Sequence, residues 1–179
     1  MRKDSHFIIF TWFVAAIIGV FSVAVVSAGE LALTPPIMNG LNQILKASDL
    51  LHKSLLSKDE EQIEIGVRDI LIELERAKIA SYKAKPHERR HLVRILDTAH
   101  EQFEQIRTTY GEERRHRLEE AYNQLVNIVR IYRVDRAYGI FFCPKDRTTW
   151  IQKGNRPQNP FRAISESGRR EPCGMRVPK

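Results

Sequence analysis

The sequence predicts an all-α fold: an up-and-down antiparallel four-helix bundle followed by an irregular C-terminal segment tied down by a disulfide. Three observations carry this. Apolar residues recur every three or four positions through four consecutive stretches, each about twenty residues long. Short links join them, which favours antiparallel neighbours. The periodicity then stops near residue 137, and both cysteines and five of the eight prolines lie beyond that point.

The chain divides into residues 1–28, 29–136 and 137–179. The first part reads as an export signal. Arg2 and Lys3 precede an apolar run from Phe7 to Val26, broken only by Thr11, Gly19 and Ser22. Val26, Ser27 and Ala28 then supply small residues for a cleavage site. A retained N-terminal anchor is the alternative, since the run is nearly long enough to span a bilayer. Either way the remainder is expected outside the cytoplasm, periplasmic or envelope-associated. Membrane contact is expected only where the anchor stays.

The first helix is expected over residues 36–56, with Pro36 in its first turn and Leu41, Leu45, Leu51 and Leu55 inward. A second opens at Ser57, with Asp59 and Glu60 complementing the dipole of its first turn. Ile63, Val67, Ile70, Leu74 and Ala77 form its stripe. Pro86 disfavours helix at Lys85 and sets the next boundary. The third helix runs to Tyr110, with Leu92, Ile95, Ala99, Phe103, Ile106 and Tyr110 inward and Gly111 as its stop. The fourth covers residues 112–133 and buries Leu118, Tyr122, Leu125, Val129 and Tyr132. After it, Tyr138 to Cys143 suits an extended segment packed on the bundle, and loops are expected from there on.

Charge separates these parts. The formal net charge is +7. Residues 29–142 are balanced, whereas residues 143–179 hold nine basic and three acidic side chains. In an exported protein such a tail suits anionic lipid, an envelope polymer or an acidic partner protein better than nucleic acid.

Few constellations suggest chemistry. His87-Glu88-Arg89-Arg90-His91 fits the HExxH pattern of a zinc-dependent hydrolase, in which two histidines four apart grip one zinc. Three features oppose it: a helix N-terminus repels cations, two arginines fill the middle of the motif, and no sheet is expected to hold a substrate. Met38 and His100 are the candidate haem ligands, and His52 borders the first stripe as a boundary residue. No CxxCH motif and no phosphate loop occur. Enzyme chemistry is therefore not expected.

Cys143, Cys173 and Met175 form a soft set that suits Cu(I) if the thiols are free. In an oxidising compartment the same cysteines form a disulfide, and the two readings exclude each other. Compartment favours the bond, with Trp150 and Phe161 pinning the loop.

The tail follows an order: Cys143-Pro144, then Trp150-Ile151-Gln152, then Asn159-Pro160-Phe161, then Cys173-Gly174. It resembles a domain of unknown function in exported bacterial proteins, one also found alongside adaptor subunits of copper and silver efflux pumps. The resemblance implies a helical bundle, possible copper handling, and an efflux adaptor or another envelope protein as partner. Lys145 and Arg170 stand where that family carries methionines, and both substitutions disfavour a Cu(I) site. The second reading is a metal-free structural or protein-binding envelope protein.

Overall fold

A computed structural model describes residues 33–83, 86–162 and 173–178, at 86–88 the backbone alone. The expected leader, residues 1–28, lies outside the described residues. Among the described residues there are four helices: α1 Pro35–Ser57, α2 Glu60–Ser81, α3 Pro86–Ile106 and α4 Gly111–Ile131. Among the described residues no helix is long and apolar enough to cross a membrane.

Sequence chemistry explains the boundaries. Pro35 and Pro36 open α1, where missing amide donors cost nothing. Lys58 ends it in the left-handed region at φ 56°. Asp59 belongs to the cap of α2, not its first turn, and accepts from Gln62 N at 3.1 Å. Gly40 and Gly66 let α1 and α2 approach closely. A Cβ at Gly40 would lie 3.1 Å from Ala77 Cβ, and one at Gly66 would lie 3.0 Å from Leu51 Cβ.

The end of α3 corrects the sequence reading. The helix stops at Ile106, where Thr108 and Thr109 hydroxyls turn back to the carbonyls of Gln105 and Ile106. Tyr110 is then 74% exposed rather than inward, and Gly111 begins α4 at φ 60° instead of ending α3. Leu55 is only partly buried; the rest of the expected stripes are buried.

The fold is mostly helical, but all-α is too narrow. Among the described residues three strands follow the helices: β1 Tyr138–Cys143, β2 Thr148–Lys153 and β3 Met175–Val177. They form one antiparallel sheet in the order β2-β1-β3. β1 was expected as an extended segment; β2 was expected as loop. Thr148, Trp150, Ile151 and Gln152 are all buried, so no polar face alternates with an apolar one to mark a strand. Consecutive helices pack on one another, while β2 packs against both α1 and α4. The sheet thus shares one core with the bundle, and the Tyr122 hydroxyl ties α4 to α1 by donating to Ser48 O at 2.9 Å.

Candidate functional site

The sheet end gathers the residues that the sequence singled out. β1 and β2 are joined by a four-residue turn, Pro144 to Arg147, in which Arg147 takes φ 55°. Register places Phe141 opposite Trp150, and their rings stack at 5.9 Å. Trp150 is fully buried.

Gln152 is the hub of the following loop. Its Oε1 accepts from Trp150 Nε1 and from Gln158 N, both at 2.8 Å, and its Nε2 donates to Arg156 O at 2.7 Å. A primary amide offers both an acceptor oxygen and donor N–H groups at the end of one neutral side chain. Asn159 repeats the device: Nδ2 donates to Thr148 Oγ1 at 2.8 Å, and Oδ1 accepts from Phe161 N at 2.9 Å. Buried Pro160 leads into Phe161, which meets the Tyr122 ring edge-on at 5.4 Å.

His52 corrects its expected role as a boundary residue. It is 3% exposed, and its Nε2 lies 2.7 Å from Gln158 O, so it joins α1 to the loop. Periodicity hides this because the covering loop is distant in sequence.

Cys143 and Cys173 form a disulfide across 5.3 Å between their Cα atoms. Gly174, at φ 146°, follows directly, and a Cβ there would lie 2.6 Å from the Trp150 ring. Asp146, which the sequence reading did not single out, completes a cluster. One ligand atom each from Cys143, Asp146 and Cys173 falls within 4.8 Å of the others. Asp146 Oδ2 lies 3.4 Å from Cys143 Sγ, 3.4 Å from Asn159 Nδ2 and 3.9 Å from Arg162 Nε. Sulfurs joined to each other are poor metal donors, so in this oxidised form the soft set does not fit copper. Met175, the third member, is 55% exposed on β3.

Comparison with protein-family models, with curated proteins and with solved structures finds no match. The local chemistry therefore carries the functional reading.

The other candidates are dispersed. His91 Nδ1 lies 3.2 Å from the Tyr132 hydroxyl, while the His87 and Glu88 side chains lie outside the described residues. Met38 packs on the core, and His100 lines a groove between α2 and α3. Around the sheet, Lys145, Arg147, Lys153, Arg156 and Arg176 are exposed, with Asp146 as the only described carboxylate of the tail.

Proposed function

We propose that this chain is an exported, non-enzymatic docking module of the cell envelope. Its helical bundle, running up and down, is the scaffold. Its cationic sheet-and-loop end meets an acidic partner protein. One observation supports this most: the thiols and the buried amides of the tail motif are all engaged internally. Cys143 and Cys173 are bonded together, and Gln152 and Asn159 spend their donors and acceptors on the loop. The solvent-facing side of this end is basic, with Arg147, Lys153 and Arg156 exposed. A disulfide also suits an oxidising compartment outside the cytoplasm.

The tail resembles domains that accompany metal-efflux adaptors, and an adaptor of that kind is the proposed partner class. Copper handling is the second reading, and the Cys143, Asp146 and Cys173 cluster favours it. It requires the reduced protein. Thiol titration under denaturing conditions, with a Cu(I) competition assay on the protein as isolated and after reduction, separates the two. No free thiols and no binding as isolated agree with the docking module. Two free thiols and tight Cu(I) binding as isolated would overturn it.

A further inference from the structure

α2 carries a second apolar row that the bundle does not use. Its core row, from Ile63 to Ala77, is buried. Ile65, Ile72 and Ile79 repeat every seven residues, and at about 100° per residue they point away from that row. Ile72 is 43% and Ile79 58% exposed, and Ile65 is half-buried. Ile72 is a ridge between two surface grooves: Leu50 of α1, 50% exposed, lines one, and Tyr110 lines the other.

Charges border the row in a pattern. One flank carries Arg68 and Glu75, the other Asp69 and Arg76. Glu75 lies 3.6 Å from Lys78 and Arg76 lies 2.6 Å from Glu73 within α2. Exposed pairs of that kind hold too weakly to resist exchange.

We propose that α2 is a homodimer seam, in which two copies pair with this helix antiparallel across a twofold axis at Ile72. The row is symmetric about that residue: Ile72 meets its equivalent, and Ile65 meets Ile79 of the second copy. A twofold perpendicular to the helices sets each flank against itself with direction reversed. Arg68 then faces Glu75, and Asp69 faces Arg76, each twice. A parallel pairing instead brings opposite flanks together, Arg68 against Asp69 and Glu75 against Arg76, and aligns the two helix dipoles. The charges thus suit a second copy of this chain, and opposed helix dipoles favour the antiparallel direction. This surface lies on α2, away from the tail motif, and stands without the docking proposal.

Sedimentation of the full-length protein, in detergent where the N-terminal segment is retained, tests the seam over a concentration series. The expected species has twice the chain mass. Ile72→Glu is expected to give a monomer with an unchanged circular-dichroism spectrum, because the residue is already exposed. Arg68→Glu or Glu75→Arg alone weakens the dimer by about tenfold, and the two together restore it. Under mild oxidation Ile65→Cys and Ile79→Cys variants cross-link when mixed and not separately. A monomer at every concentration overturns the proposal. So does a dimer indifferent to Ile72→Glu, or cross-linking of Ile65→Cys with itself, which marks a parallel seam.

Discussion

Replacing Gln152 with Leu tests whether the tail motif is a structural device. Leu matches the side chain in size but has no polar atom. The substitution leaves Trp150 Nε1, Gln158 N and Arg156 O without the partners they hold at 2.7–2.8 Å. The indole N–H sits in a fully buried residue and has little access to water, so its loss costs about 1–3 kcal/mol. The other two groups are part-buried and regain water, losing about 0.5–1 kcal/mol each. The sum is about 3 kcal/mol. In a Trp12→Phe background Trp150 is the single tryptophan, so its fluorescence reports the loop directly. With a denaturant slope of about 2 kcal/mol/M, the urea midpoint is expected to fall by about 1.5 M, with Trp150 emission already red-shifted before unfolding. A midpoint within about 0.3 M of the parent would refute the reasoning.

Reduction, or Cys143→Ala with Cys173→Ala, releases a loop closed over a separation of 30 residues. The loss is about 3–4 kcal/mol, read as a melting temperature lower by about 10 °C. Gly174→Ala drives a Cβ to 2.6 Å from the Trp150 ring at φ 146° and costs more than Gly154→Ala, which at φ 92° meets nothing within 4 Å. Paired urea curves rank the two, and an equal cost would contradict the packing. At high pH, burial pushes Tyr132 up to about 12, and burial with Asp49 and Asp135 pushes Tyr138 up to about 12. Both are protonated in either state below their ordinary value of 10, so their contribution is complete there. As pH rises the unfolded chain ionises first, and stability falls between pH 10 and 12. Urea midpoints across that range measure the slope, and a flat profile would refute the burial.

The helical part was legible because it is local. Ile63, Val67, Ile70, Leu74 and Ala77 announce their helix by spacing alone, and all are buried as that spacing requires. Helix ends were less legible. Gly111 has a stop residue's chemistry but serves as a start, since either side of a turn accepts a positive φ. The order of the tail motif was visible in sequence, while its purpose was not.

The sequence by itself determined the four amphipathic stripes, the basic excess of the tail and the availability of two cysteines for one bond. These follow from residue type and near-neighbour spacing. Tertiary structure decided the rest. β2 hides as a strand because both its faces are covered, so its pattern carries no alternation. Asp146 joins the cysteines, and His52 grips Gln158 O from 106 residues away, only once the chain has folded back. Such contacts depend on which elements meet in space, and no local period encodes that.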